Sequence, residues 1–98
     1  MTNWLVSRHL GAIEWIQLQG IKIDKQVEHL DISQVKAGDL VVGTLPIQLA
    51  AEVCARKAKY LHLCLDMPQT LRGKELDCET LIELGAKLKE FKISFIEG

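Results

Sequence analysis

Apolar residues along this chain follow two rhythms in turn. Short unbroken runs alternate with longer stretches in which apolar positions recur every three or four residues. Asn3-Trp4-Leu5-Val6 is the first run, and it stops at the polar stretch Ser7-Arg8-His9-Leu10-Gly11. Ala12, Ile13, Trp15 and Ile16 then recur at helical spacing, with Gly20 as terminator. Gln26–Leu30 reads as a second strand with Val27 inward, ending at His29-Leu30-Asp31. The turn residues Lys36-Ala37-Gly38-Asp39 precede Leu40-Val41-Val42, a run suited to a strand covered on both faces. That run ends at Gly43-Thr44-Leu45-Pro46, and Pro46 suits the first turn of a helix, where a missing N–H costs nothing. Ile47, Ala50, Ala51, Cys54 and Ala58 continue as one helical stripe. Tyr60–Leu65 forms the fourth strand, stopping at Asp66-Met67-Pro68. A polar loop through Arg72-Gly73 leads to a last helix with Leu81, Leu84, Leu88 and Phe91 on one face. Lys92–Ile96 closes the pattern as an edge strand.

Strands alternating with helices predict an α/β fold: a mostly parallel sheet of four or five strands with helices on both faces. The Asp31–Asp39 connection is short for a parallel crossover, so the direction of the second strand stays open. At 98 residues the chain is expected to be one domain, residues 1–98, because two separate cores would each be too small. No apolar run approaches the roughly 20 residues of a membrane span, and the start of the chain lacks a signal-peptide layout. A cytoplasmic protein is therefore expected. Cys54, Cys64 and Cys78 are odd in number and lack a C-x-x-C pair. They predict neither a disulfide framework nor a zinc site, and Cys54 and Cys64 are expected as small apolar core residues. A net charge of −1 with intermixed signs disfavours coating of long nucleic acid, but permits a small anion held by a few focused cations.

Ligands of open parallel sheets bind beyond the carboxyl ends of the strands, near the point where strand order reverses. That rule selects four loops: Ser7-Arg8-His9-Leu10-Gly11, His29-Leu30-Asp31, Gly43-Thr44-Leu45-Pro46 and Asp66-Met67-Pro68. The first and third run into helix N-termini, where unpaired N–H groups and the positive dipole end favour phosphate. Ser7 offers a hydroxyl, Arg8 a permanent bidentate cation, His9 a group that titrates near neutrality, and Gly11 room for a close backbone. Against this stands a plainer account, with Ser7 capping the helix and Arg8 and His9 solvated. Thr44 likewise either binds or caps, and Gln48 either reads a base edge or is simply exposed. His29 stands at a strand end. Asp66 shapes its turn or contacts a ribose, and Arg72 is solvated or closes over an anion. His62, in mid-strand, reads as a core or interface histidine. No G-x-G-x-x-G follows the first strand and no P-loop is present. No pair of carboxylates has two-metal character, so no metal site and no cofactor are expected.

Three stretches carry a resemblance: NWLVSRHLGAIEW (3–15), VEHLD (27–31) and GDLVVGTLPIQLAAEVCARKAKYLHLCLD (38–66). With Arg72-Gly73-Lys74-Glu75-Leu76 and Leu84-Gly85-Ala86, they resemble small accessory proteins encoded beside type III CRISPR systems, the loosely defined Csx group. The combination of SRH-x-GA with GTLP is the specific part. The resemblance implies a compact Rossmann-like three-layer fold of the CARF-like kind, similar to sensor domains for cyclic oligoadenylates. It implies a ring nuclease that linearises cyclic tetra-adenylate without a metal and so switches off antiviral signalling. Arg8 then stabilises phosphoryl charge, His9 serves as acid or base, and Ser7 orients a phosphate. A homodimer is expected, since a two-fold pair presents the first loop to both sides of a symmetric ring. Two other readings remain: a non-catalytic binder of the messenger, and a protein-interaction subunit with Trp15 and Tyr60 as anchors of an exposed apolar patch.

Overall fold

A computed structural model of the chain describes residues 1–65 and 77–96. β1 (Asn3–Val6), β2 (Lys25–Val27), β3 (Leu40–Gly43), β4 (Lys59–Cys64) and β5 (Lys87–Phe91) form one sheet in the order β2-β1-β3-β4-β5. β1 pairs parallel with β2 and β3, and β3 parallel with β4. β5 runs antiparallel to β4. The expected α/β class and the mostly parallel sheet both hold.

Successive strand side chains point to opposite faces, and here both faces are covered. Trp4, Val41 and Tyr60 share one apolar cluster with Ala50 and Val53 of α2 (Ile47–Ala55). Leu5, Val42 and Leu63 share the other with Ile13, Trp15 and Ile16 of α1 (Leu10–Leu18) and Leu81 of α3 (Cys78–Glu83). This two-sided burial is why β1 and β3 read as continuous apolar runs rather than alternating ones. Trp15 and Tyr60 are both buried, so neither anchors an exposed patch. Cys54, Cys64 and Cys78 are free thiols and all half-buried, so Cys54 and Cys64 are not the deep core residues expected; Cys54 packs at the margin of the first cluster and Cys78 at that of the second.

β2 is shorter than the expected Gln26–Leu30 and runs parallel to β1. Its earlier end frees Glu28–Asp39 for the connection to β3, about the dozen residues a parallel crossover needs. A 3-10 turn at Ile32–Gln34 occupies part of it, capped by the Asp31 carboxylate on the Ser33 amide.

The C-terminal elements correct the expected pattern. α3 ends at Glu83, so Leu81, Leu84, Leu88 and Phe91 do not share a helix face. Gly85 takes φ +72, the Gly85 amide donates to Ile82 and the Ala86 amide to Leu81, which closes the helix in a Schellman turn. β5 follows at Lys87–Phe91, and Lys92–Ile96, the expected strand, lies outside any strand. No helix among the described residues is long and apolar enough to cross a membrane.

Candidate functional site

The chain leaves β1 for β2 on one side and reaches β3, β4 and β5 on the other, so strand order reverses between β1 and β3. At that junction the two strand ends touch closely. A Cβ on Gly43 would stand 2.5 Å from the Val6 carbonyl oxygen, so only glycine lets β3 pass. Beyond this crossing the loops diverge and a cleft of about 340 Å³ opens. Its size lies at the low end of the roughly 300–1,000 Å³ typical of small-molecule sites.

Three strand ends supply its walls. Ser7, Arg8 and His9 come from the β1–α1 loop, Glu28, His29 and Leu30 from the end of β2, and Thr44, Leu45 and Pro46 from the β3–α2 loop. Val6 and Leu49 add apolar surface. The Ser7 amide donates to the Val27 carbonyl at 3.0 Å, which ties the ends of β1 and β2 together just below the cleft.

The helix entries answer the capping question. The residue capping α1 is His9, and no side chain caps the helix. Ser7 Oγ instead accepts the His9 amide at 3.2 Å, shaping the loop one step ahead of the first turn. Pro46 holds the corresponding place before α2, again with no side-chain cap, so Thr44 does not cap. Both helices thus bring N-termini without a side-chain cap toward the cleft, each with the positive end of its dipole.

One buried residue braces the third wall. Tyr60 Oη accepts the Leu45 amide at 2.8 Å and lies 3.3 Å from the Gly43 carbonyl oxygen. Burial pushes the Tyr60 phenol above its ordinary value, partly offset by the Leu45 amide, so it stays a neutral O–H at physiological pH. His62 Nδ1 lies 2.6 Å from the same Oη.

Of the residues singled out from sequence, Ser7, Arg8, His9, His29 and Thr44 come together on the cleft. Gly43 lies directly beneath it as the close-approach point of β3 on β1. Gly11 is buried in the first turn of α1, and Gln48 is exposed on α2; neither lines the cleft. Asp66 and Arg72 lie outside the described residues. Glu28 was missed because the expected second strand ran through it to Leu30. Tyr60 was missed because a tyrosine in an apolar run carries no sign of where its hydroxyl reaches.

The cleft combines a guanidinium, two imidazoles, a carboxylate and two hydroxyls with the apolar surfaces of Leu30, Leu45 and Leu49. That set suits a ligand with an anionic part and a flat, poorly hydrated part. Fold and site together define an α/β protein with a small anion-suited cleft at the switch point of its sheet. A family profile described as "Putative CRISPR-associated protein (Cas_VVA1548)" matches residues 4–94, and the chain belongs to that family. No curated protein and no solved structure matches it.

Proposed function

We propose that this CRISPR-associated protein binds cyclic tetra-adenylate in the cleft and linearises it, as a Rossmann-like ring nuclease. One observation carries the reading: Ser7-Arg8-His9, His29 and Thr44 converge on one cleft beside two helix N-termini without side-chain caps. In the proposed reaction a ribose 2′-oxygen bonds to its neighbouring phosphorus as the bond to the 5′-oxygen breaks. The 2′-hydroxyl proton leaves to a base and the 5′-oxygen gains one from an acid, giving a 2′,3′-cyclic phosphate and a free 5′-hydroxyl. Arg8 bears on the phosphoryl oxygens as charge grows there, with the helix amides beside it. His9 is within the same loop as acid or base, and Ser7 orients the phosphate.

A tetranucleotide ring exceeds one cleft of this size, so the proposal includes a homodimer that shares the ring across a two-fold axis. Leu10 and Ile47 support it. Each follows a cleft residue at a helix start, and they are 70% and 71% exposed.

The test is incubation of the purified protein with cyclic tetra-adenylate in EDTA, with products resolved by chromatography. Linear products are expected. Tight stoichiometric binding without turnover would replace the nuclease with a sequestering protein, and absence of binding would reject both. Arg8→Ala is expected to lower the cleavage rate by roughly 10²–10³-fold, the usual loss when one oxyanion donor is removed. Because Arg8 is exposed, the thermal midpoint should hardly move. Cleavage by Arg8→Ala at the wild-type rate would place the chemistry elsewhere.

A further inference from the structure

Behind the cleft wall, three hydrogen-bond partners meet at one hydroxyl. Tyr60 Oη has one hydrogen and two lone pairs, and it faces the Leu45 amide at 2.8 Å, the Gly43 carbonyl at 3.3 Å and His62 Nδ1 at 2.6 Å. The Leu45 amide can only donate, so it takes one lone pair. The remaining pairings depend on the imidazole: where Nδ1 carries no proton, the hydroxyl hydrogen has both His62 and Gly43 as acceptors, and where it carries one, Gly43 alone. A separation of 2.6 Å is short for N–H···O but ordinary for an O–H donor, whereas 3.3 Å is long for any O–H bond. With Nδ1 unprotonated, the nearer acceptor at 2.6 Å takes the hydrogen; with Nδ1 protonated, Gly43 takes it.

We propose that Tyr60 and His62 are positioning residues for the Gly43–Leu45 loop, and that protonation of His62 reverses the hydrogen bond between them and so resets that loop. When His62 takes a proton from solvent, Nδ1 becomes a donor and Tyr60 Oη its acceptor. The hydroxyl hydrogen turns to the Gly43 carbonyl; no bond of Tyr60 breaks, and the net change is one proton gained on the imidazole. On its other side Gly43 faces β1 closely: a Cβ there would stand 2.5 Å from the Val6 carbonyl oxygen. The tightened contact is therefore passed along the loop to Thr44 and Leu45, which line the cleft.

The surroundings of His62 are defined. Phe91 of β5 packs edge-on against its ring at 5.8 Å, and Lys89 of β5 stands directly across from it in register. Lys87 pairs with Cys64, and Cys54 Sγ lies against the Phe91 carbonyl and the Ile93 amide; Lys57, Lys59, Glu90 and Lys92 stand around Cys54 and Phe91. On β3 its register partner is Gly43, with no side chain at all.

The relay goes beyond the proposed reaction and holds whatever occupies the cleft, so its test uses no ligand. Amide and imidazole resonances of the ¹⁵N-labelled full chain are followed from about pH 5 to about pH 8, across the usual imidazole range. The Leu45 and Thr44 amides are expected to shift with the midpoint of the His62 ring. In His62→Gln, which removes the imidazole and leaves Tyr60 in place, both shifts should vanish. Tyr60→Phe should uncouple the loop amides from a His62 that still titrates. A Leu45 amide that stays fixed through the His62 titration would overturn the proposal. So would a shift that survives unchanged in His62→Gln, since its source would then lie elsewhere.

Discussion

Asp39 shows how much one side chain holds at the end of the sheet away from the cleft. It is a buried carboxylate, 3% exposed, placed just before β3. Oδ1 accepts the Thr2 amide at 2.9 Å; Oδ2 accepts the Lys36 amide at 3.0 Å and the Trp4 indole N–H at 3.2 Å. One residue thereby fixes the entry to β1, the turn into β3 and the orientation of a core tryptophan. Burial alone would raise its carboxyl, but the Lys36, Thr2 and Trp4 donors outweigh it and hold the group below the ordinary aspartate value. Asp39→Asn keeps the shape but turns an NH₂ toward an N–H donor, and a buried mismatch of that kind costs roughly 1–3 kcal/mol. Urea unfolding near neutral pH should show that loss. The sign of its pH dependence follows from the lowered folded-state value: Asp39 contributes fully above the unfolded value near 3.9, and the contribution fades as pH falls through the folded value. The gap between wild type and Asp39→Asn should therefore narrow in acid; a gap independent of pH would deny that the charge matters. From sequence, Asp39 was legible as a turn residue next to Gly38. Its grip on Trp4 was not, because that contact joins residues brought together only when β1 pairs with β3.

Helix ends decide where the elements could be read correctly. α2 and α3 finish in the same Schellman geometry with different residues at the left-handed position. In α2 the Lys57 amide donates to Cys54 and the Ala58 amide to Val53, with Lys57 at φ +63; in α3 Gly85 occupies the equivalent place. A side chain in that conformation costs roughly 1–2 kcal/mol, less whatever its rigidity gains by restricting the unfolded chain. Lys57→Gly should therefore raise stability by about 1 kcal/mol, and Gly85→Ala should lower it by a similar amount, since nothing stands within 4 Å to clash with the added Cβ. Thermal unfolding of the pair separates backbone strain from packing; equal effects of the same sign would refute the account. The same motif explains the misread C-terminus. Leu81, Leu84, Leu88 and Phe91 fit a helical period, but Lys87-Leu88-Lys89 also alternates, and a spacing argument cannot choose between them. Gly85 was the deciding signal. Elsewhere the rhythms were unambiguous: β1, β3 and β4 lie within a residue of where the apolar runs placed them.

At the scale of the molecule, strand order turns scattered loops into one site. Sequence supplies no pairing, so β2-β1-β3-β4-β5 could not be read from it. The candidate residues were legible all the same, because every parallel strand delivers its C-terminal loop to the same edge whatever the order. Order determines which of those loops are neighbours, and the reversal between β1 and β3 puts Ser7-Arg8-His9 beside Thr44 and His29. The consequence for the proposed function is stoichiometric. Under the proposed function, a cleft of about 340 Å³ with Leu10 and Ile47 exposed at its helix starts would serve as a half-site for a four-nucleotide ring. Native mass spectrometry with Arg8→Ala, which should keep the ring intact, is expected to show one cyclic tetra-adenylate per two chains. Replacing Leu10 with Asp should then lower ring affinity by weakening the pairing, while leaving the monomer folded, because its side chain is exposed. One ring bound per single chain would show that the cleft accommodates the ligand alone, and the shared two-fold site would have to be abandoned.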